Sequence, residues 1–523
     1  MKRSDAISRL ADKSGTWDML VVGGGATGLG CAVDAESRRY KVALVEQADY
    51  AKGTSSRSTK LVHGGVRYLK QGNISLVLEA LKERGLLCAN ARHLVSHQAF
   101  VVPSYSWWEG PFYGIGMKVY DVLAGKLGLE ASRQLSKSET LDAIPTLEAD
   151  GLLGGVMYYD GQFDDARLAI NLAQTVWDLG GVTVNYVKVT GLLREAGFVS
   201  GVIARDLESG DELNIRAKCV INAAGVFSDG LRRMDEPDGK NIIAASRGVH
   251  LVLPKRFVPK NAAIMVPHTT DGRVLFAVPW HGYVVLGTTD ESTEDISLEP
   301  RATEAEIDFI LENAARYLHT DPTRADVLSV FAGLRPLVKQ GDGANTAALS
   351  RDHTIVVSES GLITIAGGKW TTYRRMAEDA IDHAETIAGF DKRDCRTHHL
   401  PIHGCTDEKF KGPPLINLFG SDAEKILALI RERPDLIEPL HPRLPYCQGE
   451  AIWAVREEMA RSVEDILARR TRSLLLDAQA AIEAAPLVGQ LLAKELGHDE
   501  SWGRQSAEAF IAVAKAYLVK ARI

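Results

Sequence analysis

Short apolar runs that end abruptly on glycine or an acid recur along the chain, and each reads as a buried strand followed by a tight turn. Met19-Leu20-Val21-Val22 stops on Gly23-Gly24-Gly25, and Val42-Ala43-Leu44-Val45 stops on Glu46. Lys218-Cys219-Val220-Ile221-Asn222-Ala223-Ala224-Gly225 and Leu362-Ile363-Thr364-Ile365-Ala366-Gly367-Gly368 repeat the pattern. A helix is expected over 26–39, between the first two runs, and an amphipathic helix over 72–91. Asp164 and Asp165 open a helix to 179, where they read as N-cap and first-turn charges. A strand over 182–189 precedes a three-stranded meander over 191–216, with its turn at Ser209-Gly210-Asp211. Strands over 248–253, 274–280 and 283–290 predict an antiparallel sheet, followed by a helix over 304–318. Beyond about Asp391, prolines punctuate a loop, and 449–522 is nearly all helix.

Chemistry enters at the first turn. Gly23-Gly24-Gly25-Ala26-Thr27-Gly28 is a G-x-G-x-x-G between strand and helix: Gly23 permits the turn, Gly25 admits a pyrophosphate, and Gly28 lets helix and strand approach. Glu46, ending the second strand, is placed to accept ribose hydroxyls. The donor-rich run from Gly53 through Thr54, Ser55, Ser56, Lys60, Leu61, His63 and Gly64 to Arg67 and Tyr68 suits another stretch of an extended cofactor. Residues 107–129 are aromatic and apolar, with Lys118 and Lys126 interspersed, and read equally as core or as a surface dipping into lipid.

The 523 residues, 45% hydrophobic and with a formal net charge of -7, fit a globular chain of about three domains and give no footprint for nucleic acid. The six dispersed cysteines predict reduced thiols in a cytosolic protein. Cys395, His398, His399, His403 and Cys405 fit no standard zinc spacing, so no metal is expected. Neither a signal peptide nor an apolar run of about 18 residues is present, so a spanning helix is not expected.

Together the 23–28 turn with Glu46, the 54–68 run, Ala223-Ala224-Gly225, Gly287-Thr288-Thr289-Asp290, Gly333-Leu334-Arg335-Pro336-Leu337 and Gly367-Gly368-Lys369-Trp370-Thr371-Thr372-Tyr373-Arg374 resemble FAD-dependent glycerol-3-phosphate dehydrogenases. The helical stretch containing Arg469-Arg470-Thr471-Arg472 is similar to that family's C-terminal domain. The resemblance implies an α/β fold with a discontinuous FAD-binding, Rossmann-like (D-amino-acid oxidase-like) domain over 1–90, 150–230 and 350–390. An inserted antiparallel-sheet substrate domain would occupy 91–149 and 231–349, and an all-α domain 391–523. It further implies noncovalent FAD, oxidation of sn-glycerol 3-phosphate to dihydroxyacetone phosphate by hydride transfer to flavin N5, and electron delivery to membrane quinone. A cytoplasmic protein attached peripherally to the inner face of the cytoplasmic membrane follows, with 107–129 as the lipid-facing candidate and a homodimer left open.

On this resemblance the cofactor contacts are Gly23, Gly25, Gly28, Glu46, Thr54, Ser55, Ser56, Lys60, Leu61, His63 and Gly64, then Val189, Ala224 and Gly225, and finally Gly367, Gly368, Lys369, Thr371 and Thr372. Catalysis is assigned to His63, Arg335 and Lys369. Lys369 would stabilise charge on the reduced ring, and His63 is the first choice for the base that takes the hydroxyl proton, or else it bonds flavin or backbone. Arg335 and Arg351, helped by Arg67, would hold the phosphate, unless Arg335 pairs with a carboxylate instead. Tyr68, His250 and Thr371 complete the substrate site. Competing readings are a glycerol-3-phosphate oxidase using oxygen, an amine or amino-acid oxidase of the same superfamily, and a nucleotide-binding sensor without turnover.

Overall fold

The computed structural model describes residues 1–65, 73–339 and 352–520. One sheet is centred on strand Trp17–Val22, which has parallel neighbours Glu212–Asn222 and Val42–Val45. Val182–Val184 extends the sheet beyond the second and Ile363–Gly367 beyond the first, and antiparallel His353–Val357 closes that edge. The inner strands are apolar over 19–22, 42–45 and 219–221, where helices cover both faces. Helix Ala26–Ser37 lies between helices Asp165–Leu179 and Tyr373–Ile387. It is buried nearly all round, and a methyl at Gly30 would come within 2.9 Å of the Tyr373 ring.

The meander differs from the sequence reading in two respects, the first being that the strand expected over 182–189 divides into Val182–Val184, in the parallel sheet, and the start of the meander's first strand. Its strands are Val187–Glu195, Phe198–Asp206 and Glu212–Asn222, and the third runs on without a break as the parallel strand beside Trp17–Val22. From Glu212 to Lys218 its residues alternate between exposed and buried, whereas Cys219–Asn222 are all buried. One strand therefore carries a period of two where one face meets water and a continuous run where both faces are covered, and that change of period reads locally as two elements.

The second sheet has ten strands and is antiparallel except where Ser96–Ser104 meets Ala263–Val266. Strand Gly154–Gln162, grouped with the nucleotide-binding segments in the sequence, pairs here with Ser96–Ser104 and with Leu61–Val62. Ile243–Pro254 is paired along its length with Ser329–Val338. Against this sheet packs helix Glu109–Ala124, which buries Tyr113, Met117 and Tyr120 and leaves Phe112, Ile115, Val119 and Val122 outward.

Helices Gln448–Glu457, Ala478–Leu496 and Glu500–Ala514 form the C-terminal bundle, and a π-helical turn Asp465–Arg470 joins them. The last two cross closely enough that a methyl at Gly489 would sit 2.5 Å from the Gly503 carbonyl oxygen. The bundle core includes Val252, Trp280, Val285 and Phe331, so the helices seal one side of the ten-stranded sheet. All six cysteines are free thiols; Cys395 donates to Asp34 at 3.0 Å, and His403 lies between Asp178 and Asp422.

Candidate active site

At the carboxyl ends of the parallel strands opens a cavity of about 1050 Å³, the position where open α/β sheets bind ligands. Its floor is the first glycine turn. Gly23 has φ 117°, and a side chain there would strike the Ala223 carbonyl oxygen at 2.5 Å. A methyl at Gly28 would lie 1.9 Å from the Gly23 oxygen, so the helix can meet the strand only without one. Gly25 starts that helix without a side-chain cap, leaving its N-terminus open to the cavity; the Ala26 amide donates to Ser55 Oγ at 2.9 Å. These features suit an anion such as a pyrophosphate.

Glu46 lines the same cavity, held by the amides of Gly24 (2.6 Å) and Ala48 (2.8 Å), and burial raises its carboxyl above the usual range. Thr54, Ser55, Val189, Ala224, Gly225, Gly367, Gly368 and Lys369 line it as expected, whereas Gly28, His63 and Gly64 are not on its wall. The Trp370 indole donates to the Ser55 carbonyl at 2.8 Å, so the donor loop and the late glycine turn are fastened together. Thr371 and Thr372 are buried just behind: Thr371 Oγ1 accepts from the His63 amide at 3.2 Å, and the Thr372 amide donates to the Lys369 carbonyl at 3.0 Å.

Beneath His63 the backbone is fixed by a buried chain of polar groups. The Gly64 amide donates to Tyr120 Oη at 2.7 Å, Tyr120 bonds Asp160, and Arg84 meets Asp160 at 2.6 Å. On the ten-stranded sheet, Arg335 stands opposite Ser246 and His250 opposite Phe331, at alternate positions and so on one face. Arg335 donates to Asp290 (3.2 Å), Thr288 Oγ1 (3.2 Å) and the Thr289 carbonyl (3.0 Å), so it has the carboxylate partner weighed for it. His250 is buried, stacks on Phe331 at 4.9 Å and bonds Thr59 through Nε2, while its Nδ1 has no hydrogen-bond partner among the described residues. Burial, with the positive charges of Lys60 and Arg335, keeps it neutral, its pKa well below the ordinary value.

Other expected contacts lie away from the cavity wall. Lys60 donates to Asp165 at 2.7 Å and to the Ser56 carbonyl at 2.8 Å, with no exposed side-chain surface, and burial draws its pKa down to about 8. Leu61 is in a strand of the second sheet, and Ser56 turns its carbonyl toward Lys60 and Arg472. Arg67, Tyr68 and Arg351 fall outside the described residues.

A family model described as FAD dependent oxidoreductase matches residues 18–374, and the C-terminal domain of alpha-glycerophosphate oxidase matches 363–502. The mitochondrial glycerol-3-phosphate dehydrogenase of Rattus norvegicus is 42% identical over 518 residues, covering 92% of this chain and 71% of its own. The chain belongs to the FAD-dependent glycerol-3-phosphate dehydrogenase family. The mitochondrial enzyme SDP6 of Arabidopsis thaliana is 38% identical, with 95% of this chain and 86% of that protein covered. A glycerol-3-phosphate dehydrogenase from Bacillus halodurans, solved with FAD, is 29% identical with a TM-score of 0.79, over 100% of this chain and 99% of that one.

As a member of this family the chain is an FAD enzyme, and the glycine cradle, open helix terminus and buried acid fit that cofactor. Several charged wall residues escaped the sequence reading, among them Lys52, Asp229, Arg233 and Lys339. Each sits in a segment with no motif, and only the folding of distant strands brings it to the cavity.

Proposed function

We infer that the protein oxidises sn-glycerol 3-phosphate to dihydroxyacetone phosphate and passes the electrons to quinone while attached to the inner face of the cytoplasmic membrane. When bound, FAD takes up the two electrons of the oxidation. The turn at Gly23, Gly25 and Gly28 holds its pyrophosphate and Glu46 its ribose, and Lys369 offsets negative charge on the reduced ring.

The observation that carries the substrate assignment is the sheet face bearing Arg335 beside neutral His250, crossed by the loop that holds Thr54 and Thr59. A guanidinium already oriented by Asp290 and Thr288 is held in one conformation, so a phosphate meeting it has no side-chain ordering to wait for. Arg67 and Arg351 supply further cations, and Tyr68 orients the substrate. His63 takes the hydroxyl proton on its imidazole, an assignment supported by its place on the loop fixed through Gly64. His250 Nδ1 lines the substrate and orients it.

Membrane attachment is supported by the outer face of helix Glu109–Ala124 and the residues before it. Trp107 is 82% exposed, Ile115 69% and Val122 79%, a patch of the kind that marks a lipid or partner surface. Among the described residues no helix is long and apolar enough to cross a membrane, which makes monotopic contact the mode that would reach a lipid-dissolved quinone.

Anaerobic addition of glycerol 3-phosphate to the purified holoenzyme should bleach the flavin spectrum, and glycine or proline should not. No bleaching would leave a binding protein without turnover. Mixing the reduced enzyme with air or with a quinone analogue then separates the acceptors, since fast reoxidation by air alone would point to an oxidase.

A further inference from the structure

We propose that the arginine turn of the C-terminal domain, Arg469-Arg470-Thr471-Arg472, shapes the loop over residues 47–56 from behind and thereby sets how tightly FAD is held. The turn and the loop are more than 400 residues apart in the chain, and none of the three arginines lines the cavity.

Gln47, Ala51, Lys52, Gly53, Thr54 and Ser55 line the cavity. The gripped positions are Asp49, between two lining residues, Lys52, itself a lining residue, and Ser56, just past the last of them. Asp49 receives Arg469 Nε at 2.5 Å and Arg470 at 2.7 and 3.0 Å. Lys52 reaches Glu464 at 2.8 Å, and Arg469 holds that same carboxylate at 2.8 Å. Arg472 donates to the Ser56 carbonyl at 2.6 Å and to Asp165 at 2.9 Å, and Asp165 is also the partner of Lys60. Three successive anchors, at 49, 52 and 56, thus come from one short segment.

The chemistry of the anchors is unusual for simple adhesion between domains. Arg469, Arg470, Arg472, Asp49 and Asp165 are all buried. Although burial opposes it, Arg470 and Arg469 hold the Asp49 carboxyl well below the usual carboxylate range, so the pair stays charged. Burying such ions costs so much desolvation that well-packed apolar side chains of similar volume would stabilise the contact at least as well. What directed ion pairs add is a fixed geometry. Arg472 is also in the left-handed region at φ 59°, directly after the π-helical turn Asp465–Arg470, two irregularities that aim three guanidinium groups from four consecutive residues. These arginines are not among the residues lining the cavity; they are positioning residues, and the helical domain acts as the backing of the cofactor site.

The test measures release of FAD from the holoenzyme, read as the rise in free flavin fluorescence after dilution. The inference rests on the FAD assignment, and a parent protein purified without FAD would fail that assignment rather than this one. Relative to the parent, Arg470→Met should release FAD at least tenfold faster and Arg470→Lys should fall between them, whereas Arg431→Met, at an exposed helix position, should match the parent. At saturating FAD the KM for glycerol 3-phosphate should stay within twofold of the parent value. Should Arg470→Met fail to fold, Arg472→Gln, which removes the contacts to Ser56 and Asp165 and leaves those to Asp49 in place, should show the same acceleration. A folded Arg470→Met or Arg472→Gln whose melting temperature falls while FAD release is unchanged would overturn the proposal and reduce the turn to domain adhesion.

Discussion

His403 offers a prediction whose sign and size both follow from the structure. Its Nδ1 meets Asp178 at 2.6 Å and its Nε2 meets Asp422 at 2.7 Å, so the segment after Pro401 is tied to helix Asp165–Leu179 through a doubly bonded imidazolium. Burial works against the charge, but the two carboxylates carry the pKa from 6.5 to about 9. A raised folded-state pKa means that the stabilisation is complete below the unfolded value and is lost as pH rises from there through about 9. At 1.36 kcal/mol per unit the ceiling is about 3 kcal/mol. Asp178 is 56% exposed, and solvent screening of that partner brings the figure to about 2 kcal/mol. With an unfolding entropy of about 2 cal/mol/K per residue, a chain of this length should shift its melting temperature by about 2 °C. The assay is a thermal melt of the parent and of His403→Gln across pH. The gap between them should be widest near pH 6 and shrink by about 2 °C by roughly pH 10. A gap that does not change with pH would refute the assignment of charge to this histidine.

Three further outcomes are expected. Arg335→Lys should raise the KM for glycerol 3-phosphate by about 10- to 100-fold, because an ammonium cannot make the fork contact, and steady-state kinetics with FAD saturating will check it. Gly28→Ala should weaken FAD retention and cost about 1–3 kcal/mol of stability, since its methyl must displace either helix or strand; flavin content and melting temperature report both. Replacing Trp107, Trp108 and Phe112 together with Ser should abolish flotation with anionic liposomes while dye-linked turnover persists, and undiminished flotation would remove this face as the membrane contact.

Local spacing made the cofactor floor legible: Gly23, Gly25 and Gly28 are fixed by a turn that closes within six residues, and steric rules at such a turn leave little choice of side chain. Helix 72–91 likewise announced itself, and is found as Ile74–Asn90 with Asn73 capping the Leu76 amide. Lys60 shows where such reasoning stops. A lysine in a donor-rich loop looks available to a ligand, but its partner Asp165 is 105 residues away, and nothing local encodes that pairing. The same holds for Asp49 and its arginines. The strand Glu212–Asn222 failed in a different way, because burial changes partway along it and the period changes with burial. His250 could be nominated as a site residue, but its neutrality comes from burial, aided by Lys60 and Arg335, and only the folded sheet supplies all three.

The central sheet also constrains how the molecule can be made. Strand Trp17–Val22 emerges early in synthesis, yet one of its two parallel neighbours is Glu212–Asn222, and the strand beyond that is Ile363–Gly367. Parallel pairs joined over such distances must close large loops before any pairing is rewarded, which makes them slow to form. Until about residue 370 has left the ribosome, Leu20, Val21, Leu44 and Ile221 have no complete sheet to enter. Until those neighbours are made, a nascent chain carries exposed strand edges, the condition under which chains recruit chaperones or aggregate. The cofactor crevice draws its wall from Gly23, Ala224 and Gly368 alike, so it is complete only once those distant strands have paired.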